Sequence, residues 1–201
     1  MISLNKFKQQ IYSSPEYIIN SPTAVALGNF DGLHLGHREV IYAAVEFAKR
    51  NGVQSLVHVL ELSGGQGRPP LLTREKMLEL LEIFGVDIVV LEEFNEQFKN
   101  NTCEEFVTEY IKNKLNAVFV SVGYNYTFGK GAAGAAGASG DAARLAELCG
   151  AYGIAVNITP PVEYGGQVVS STKIRKLLAD RDLQAARELL GHDTPFSSFR
   201  A

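Results

Sequence analysis

The apolar residues of this chain change their spacing several times along its length. Short apolar or β-prone runs predict five strands, at 23–28, 53–62, 86–91, 117–123 and 154–159. Elsewhere apolar residues recur every three or four positions, as in helices with one buried face. These predicted helices are 34–49, 73–84, 102–115, 141–152, 172–179 and 183–190. Because strands alternate with helices, the pattern predicts an α/β fold with a doubly wound parallel sheet.

Bulk composition narrows the class of protein. The 201 residues suffice for one well-packed domain, and we expect residues 1–201 to form it. The formal net charge of −3 gives no electrostatic reason to expect nucleic acid as a partner. We expect neither a secretion signal nor a membrane span, and Cys103 and Cys149 have no metal-ligand spacing. These features predict a cytoplasmic protein with no membrane partner; they predict no oligomeric state.

Residues 28–37 are the segment that most clearly indicates a ligand-binding or catalytic site. They read Gly-Asn-Phe-Asp-Gly-Leu-His-Leu-Gly-His and lie where the first predicted strand gives way to a helix. In parallel sheets ligands lie beyond the carboxyl ends of strands. A helix start adds unpaired N–H groups and a positive dipole end, which suit phosphates. We expect Gly28 and Gly32 to allow a tight turn that a ligand can approach closely.

His34 and His37 lie three positions apart, so both side chains should project from one helix face. Two imidazoles there can donate hydrogen bonds to phosphate oxygens as charge builds in a transition state. Gly36, between them, should leave room for a nucleotide. A capped turn with two solvated histidines is the alternative. Two of the chain's four histidines in one glycine-rich loop favour the phosphate interpretation.

A second segment, residues 169–175, reads Val-Ser-Ser-Thr-Lys-Ile-Arg and also opens a predicted helix. The hydroxyls of Ser170, Ser171 and Thr172 can cap that helix and bond phosphate oxygens. Arg175 can reach back to the β- and γ-phosphates. Simple capping beside a surface arginine is the alternative. Because residues 28–37 already indicate a phosphate site, we favour phosphate binding over simple capping for residues 169–175.

Both segments resemble motifs of the nucleotidylyltransferase superfamily. Residues 34–37 match its H-x-G-H signature. Residues 28–37 resemble the G-N-F-D-G-x-H-x-G-H form of the FMN adenylyltransferase (FAD synthetase) module of prokaryotic bifunctional riboflavin kinase/FAD synthetases, and residues 170–175 resemble its S-S-T-x-I-R motif. The resemblance implies a Rossmann-like nucleotidyltransferase fold, with ATP and Mg²⁺ bound, FMN as acceptor and FAD as product.

The resemblance also suggests roles for individual residues. His34, His37 and Arg175 would be catalytic. The expected nucleotide-binding residues are Gly28, Asn29, Phe30, Asp31, Gly36, Ser170, Ser171 and Thr172. Asp31 is also the candidate for the metal or its water shell, with capping of the turn as the alternative. Asn125 and Phe128 are expected to face the acceptor.

The chain departs from the family pattern on the acceptor side. Residues 59–64 read Val-Leu-Glu-Leu-Ser-Gly, where the family usually has T-F-x-P-H-P. Residues 123–129 resemble its G-x-D-F-x-F-G stretch, with Asn125 for a carboxylate and Thr127 where arginine is common. Residues 130–140 are nearly all glycine and alanine, which predicts a flexible loop or, alternatively, a flap over the substrate. We expect the family's C-terminal riboflavin kinase domain to be absent.

The leading hypothesis is Mg²⁺-dependent transfer of AMP from ATP to FMN. One alternative is an enzyme that keeps the nucleotide but uses another phosphate acceptor. The other is a non-catalytic relative that binds nucleotide or flavin.

Overall fold

The computed structural model describes residues 8–13, 17–61, 69–93, 98, 100–130 and 140–192. Its strands are β1 (Gln10–Tyr12), β2 (Thr23–Gly28), β3 (Gln54–Glu61), β4 (Ile88–Glu93), β5 (Ala117–Gly123), β6 (Thr127–Phe128), β7 (Gly140–Asp141), β8 (Ala155–Thr159), β9 (Glu163–Tyr164) and β10 (Gln167–Val168). Its helices are α1 (Leu35–Asn51), α2 (Arg74–Ile83), α3 (Cys103–Glu105, continued by the π-helical Phe106–Lys114), α4 (Ala142–Gly150), α5 (Ser171–Ala179) and α6 (Leu183–Leu190). Every predicted strand and helix is present, with ends shifted by at most two positions. Position 62, the glycine-alanine stretch 131–139 and residues 193–201 lie outside the described residues.

Six strands form one parallel sheet in the order β1–β4–β3–β2–β5–β8. From β2 the chain builds outward through β3 to β4, then returns to the other side of β2 to add β5 and β8. The winding direction therefore reverses between β2 and β5. Ligands of such sheets lie at this switch point, beyond the carboxyl ends of the two strands.

Side chains of the central strand β2 alternate between two cores. Ala24 and Ala26 pack with residues of α1 and α2, while Val25 and Leu27 pack with residues of α3 and α4. All four are fully buried. Helices thus cover both faces of the sheet, which confirms the predicted doubly wound α/β fold.

Some local features were not predicted. Strand β1 joins the sheet edge through parallel pairing with β4, and its three residues are too few to show a periodic pattern. Most of α3 is π-helical where an α-helix was expected. Strand β4 begins two residues late, because Gly85 has a φ of +81° and the Val86 N–H donates to the Leu81 carbonyl, 3.1 Å away.

A third, smaller core holds the two C-terminal helices against the rest of the domain. Its buried members are Leu71, Val169, Ile174, Leu189 and Leu190. This core therefore ties α5 and α6 to the segment that precedes α2. Within the described part of the chain, no helix combines the length and apolar character needed to cross a bilayer.

Candidate active site

A cavity of about 760 Å³ opens at the switch point. The ends of β2, β5 and β8 form its floor, and the starts of α1 and α5 line it as well. Its size falls within the range of small-molecule sites. Most of the residues predicted to bind ligands line it: Gly28, Asn29, Phe30, Asp31, His34, Gly36, His37, Asn125, Ser170, Ser171, Thr172 and Arg175.

The loop between β2 and α1 has an unusual backbone. Phe30, Gly32 and Leu33 have φ angles of +49°, +92° and +43°. Only the glycine adopts such angles without strain, and a Cβ on Gly32 would also come within 2.8 Å of Leu71 Cδ1. Phe30 and Leu33 are both buried, so their packing holds a conformation that they would otherwise avoid.

The structure gives Gly28 a different reason for being glycine. A Cβ there would meet the ring of Phe30 at 3.1–3.3 Å. The glycine therefore makes room for an aromatic side chain of its own loop. Gly28 also lines the cavity, and the close approach of a ligand to it stays a prediction.

His34 caps α1 and stacks on His37. The Nδ1 of His34 accepts a hydrogen bond from the His37 backbone N–H at 3.3 Å. The two rings lie 3.6 Å apart between centroids and nearly parallel. The ring of Phe30 meets His37 edge-on at 5.5 Å. The predicted projection of both imidazoles from one helix face is confirmed, but the ring of His34 is buried rather than solvated.

Both imidazoles are neutral near pH 7. Burial lowers the pKa of His34 to about 4. Burial, and then the neighbouring His34, lower the pKa of His37 well below its ordinary value. Because Nδ1 of neutral His34 accepts a hydrogen bond, its proton must lie on Nε2. His34 therefore offers one N–H donor and no positive charge, and the buried Nδ1 of His37 has no partner in the described structure.

Gly36 makes room for His34. A Cβ at this position would lie 3.2 Å from Cε1 and 3.3 Å from Nδ1 of the His34 ring. A larger residue would push the imidazole away from its capping position. Gly36 also lines the cavity, and the expectation that it leaves room for a nucleotide stays a prediction.

The two predicted motifs meet directly. Arg175 Nη2 pairs with Asp31 Oδ2 at 2.6 Å, and Ser171 Oγ donates to the Asp31 carbonyl at 2.8 Å. Ser170 caps α5 by accepting from the Lys173 N–H. The structure thus brings the two segments to one cavity, and their roles towards a nucleotide remain predictions.

Asp31 is held on both of its carboxylate oxygens. Oδ1 accepts from the Leu71 N–H at 2.8 Å, while Oδ2 pairs with Arg175. The other arm of Arg175, Nη1, donates to the Pro69 carbonyl at 2.8 Å. The Asp31 carboxylate thus joins its loop to the segment before α2 and to α5, and its role towards a metal stays a prediction. Among the described residues no group of three or more His, Cys, Asp or Glu side chains could hold a metal by itself.

The two residues expected to face the acceptor lie in different surroundings. Asn125 lines the cavity. Phe128 does not: its buried ring packs against Phe106 and Tyr126, with centroids 5.5 and 6.1 Å away. The expectation for Phe128 is corrected in this respect, because β6 turns its side chain into the core between the sheet and α3.

Other cavity residues were missed. Thr159 is the last residue of β8 and Pro160 follows it, so the rule that sites lie at strand ends could have found them. Pro70 and Arg74 line the wall next to α2, and no sequence signal marks them. Of the segment 59–64 that departs from the family pattern, Val59 and Leu60 line the cavity, and residues 62–64 lie outside the described range.

A doubly wound sheet with paired imidazoles at its switch point defines a Rossmann-like nucleotidyltransferase fold. The model of the FAD synthetase family matches residues 17–173, and the chain belongs to this family. A bifunctional riboflavin kinase/FMN adenylyltransferase of Escherichia coli K12 is 34% identical over 180 residues, which cover 86% of this chain and 55% of that protein. The protein of the same description from Buchnera aphidicola (subsp. Schizaphis graminum) is 31% identical, with 89% of this chain and 57% of that protein covered.

Two further proteins extend the comparison. An FAD synthetase of Listeria monocytogenes is 31% identical, over 84% of this chain and 68% of that protein. A crystal structure described as a macrolide-efflux protein from Streptococcus pneumoniae superposes with a TM-score of 0.77 at 29% identity, covering 90% of this chain and 60% of the other. The chain thus spans little more than half the length of the bifunctional proteins.

Proposed function

We propose that this chain transfers the adenylyl group of ATP to FMN, giving FAD and pyrophosphate. An oxygen of the FMN phosphate attacks the α-phosphorus, the bond from that phosphorus to the bridging oxygen breaks, and pyrophosphate leaves. The observation that carries the proposal is the meeting of His34, His37 and Arg175 around one switch-point cavity in a member of the FAD synthetase family. No protein nucleophile is required, so catalysis rests on positioning and charge stabilisation.

The histidines act as neutral donors in this proposal. His34 presents its Nε2–H because its Nδ1 is committed to the cap of α1. The stacked ring of His37 lies beside it in the same cavity. Donors fixed in a buried site stabilise charge that develops on the α-phosphate oxygens without having to reorganise.

Arg175 and the hydroxyl groups at the start of α5 would restrain the leaving pyrophosphate. Thr172 is exposed to the cavity, whereas Ser170 and Ser171 already make hydrogen bonds that shape the two motifs. Arg175 has to exchange the Asp31 carboxylate for phosphate oxygens. Its planar guanidinium suits both partners.

Mg²⁺ is part of the proposal. It is usually held by one or two carboxylates together with substrate phosphates, and a cavity with Asp31 as the carboxylate beside the proposed triphosphate site fits that habit. Asp31 would hold the ion or its water shell, and the ion would neutralise phosphate charge. We also propose a cytoplasmic site of action, where Cys103 and Cys149 remain free thiols.

The test is a pyrophosphate-release assay on the purified chain with ATP and Mg²⁺. We expect release with FMN, formation of FAD, and no release with riboflavin, which lacks the attacking phosphate. Pyrophosphate release with a different phosphomonoester but not with FMN would show that FMN is not the acceptor. Binding of ATP and FMN without any turnover would refute the enzymatic proposal.

A further inference from the structure

The end of α6 contacts the loop that carries the histidines. His192 Nε2 lies 2.9 Å from the carbonyl oxygen of Gly32. A carbonyl oxygen only accepts hydrogen bonds, so Nε2 of His192 carries the proton and donates it. Some 160 positions separate the two residues in the sequence. This contact therefore links the C-terminal helix to the loop between β2 and α1.

The same end of α6 is also fixed to the first turn of α1. Arg38 Nη1 donates to the Gly191 carbonyl at 2.9 Å. Gly191 has a φ of +67°, and a Cβ on it would collide with the Leu35 side chain. The backbone that carries His192 thus lies directly against the helix that His34 caps.

The loop needs such support. The Gly32 carbonyl belongs to the peptide that joins Gly32 to Leu33, and both residues have positive φ. Strained backbone of this kind persists only where its surroundings hold it. His34, the cap of α1, follows immediately, so a rotation of this peptide would move the imidazole that stacks on His37.

We propose that His192 is a positioning residue for adenylyl transfer: by donating to the Gly32 carbonyl it fixes the loop peptide that sets the orientation of His34. The proposal rests on the function proposed above. His192 does not line the cavity, so it acts through the loop and not on the substrate. Loss of the donor should slow the chemical step and leave nucleotide affinity nearly intact.

The test compares His192→Ala with His192→Gln in the full chain. The glutamine side-chain amide can restore a donor near the position of Nε2. We expect the alanine variant to lower kcat by about 10- to 100-fold, with KM for ATP within about threefold of wild type. The glutamine variant should recover most of the rate. Gln184→Ala is the matched control, because Gln184 lies on the exposed side of α6 and its side-chain amide donates to Glu188.

Two further measurements separate positioning from folding and from the proposed function. Thermal unfolding of both variants should match that of wild type. The ¹⁵N imidazole signals of His34, assigned by their loss in His34→Asn, should show the Nε2–H tautomer in wild type and an averaged state in His192→Ala. An alanine variant with the kcat of wild type would overturn the proposal, as would a rate loss that follows the melting temperature and is not rescued by glutamine. If wild type itself releases no pyrophosphate, the proposed function fails, and unchanged His34 signals would then overturn the positioning role as well.

Discussion

His34 performs two tasks that a pair of substitutions can separate. Its Nδ1 caps α1, and its Nε2–H is the donor proposed to stabilise charge on the α-phosphate. His34→Asn removes the imidazole but keeps a side-chain oxygen that can accept the His37 N–H, since asparagine is a favoured capping residue. His34→Ala removes both functions. The two variants lose the same stacked ring, so the difference between them isolates the cap.

The expected magnitudes differ for the two tasks. Removing one donor that stabilises developing charge lowers kcat by about 10²- to 10³-fold, and both variants should show this loss. Losing a cap costs roughly 1 kcal/mol, which lowers the melting temperature by about 2–4 °C in a domain of this size. His34→Ala should therefore melt below His34→Asn while being equally slow.

The assays are pyrophosphate release under saturating ATP and FMN, and thermal unfolding by circular dichroism. Lys49→Ala is a suitable control, because Lys49 lies at the far end of the same helix and pairs there with exposed Glu46. If His34→Asn retains a rate within about twofold of wild type, the imidazole does not stabilise the transition state. Equal melting temperatures for the two variants would contradict the capping role.

Three further predictions follow from the same geometry. Arg175→Lys keeps the positive charge but loses the two-armed contact with Asp31 and Pro69, so KM for ATP should rise. In Arg175→Ala, KM for ATP should rise further. An unchanged KM in both variants would show that Arg175 does not belong to the phosphate site. Gly32→Ala must adopt a φ of +92° against Leu71, so denaturant titration should show a destabilisation of more than about 1 kcal/mol. Burial lowers the pKa of His34 to about 4, so as pH falls this imidazole takes up a proton in the unfolded chain before it does so in the folded one. The free energy of unfolding should therefore decrease as pH falls from about 6.5 towards 4. The decrease should be smaller in His34→Asn. Urea titrations across that range that show the same pH dependence in both proteins would contradict this last prediction.

The architecture could be predicted because its causes are local. Apolar spacing and capping depend on neighbours in the chain: Thr102 and Glu105 form a capping box at the start of α3, and Asp182 caps α6. Strands β2 and β5 have the predicted ends. Strand β1 could not be found this way, because its three residues are held by pairing with β4, far away in the sequence.

The contents of the site were predictable where a motif carries them. Both segments that meet in the cavity were identified, since each combines a helix start with polar groups. The motifs did not predict how individual residues pack: a Cβ on Gly36 would crowd the ring of His34, and the ring of Phe128 turns into the core. The contact from His192 to Gly32 depends on how α6 packs, and no spacing rule reports that.

The ion pair between Asp31 and Arg175 has to open before the proposed reaction can begin. In this structure each group satisfies the other, so neither is available to a nucleotide until the pair opens. A triphosphate without a metal could pair with Arg175, but its own negative charge would then lie beside the Asp31 carboxylate. In the proposed reaction, a triphosphate bound with Mg²⁺ would supply a partner for both groups, because its oxygens could pair with Arg175 and Asp31 would hold the ion or its water shell. If the proposed roles hold, we expect the pair to favour the metal complex of the nucleotide over the free anion, because only the complex offers a charge partner to both Asp31 and Arg175.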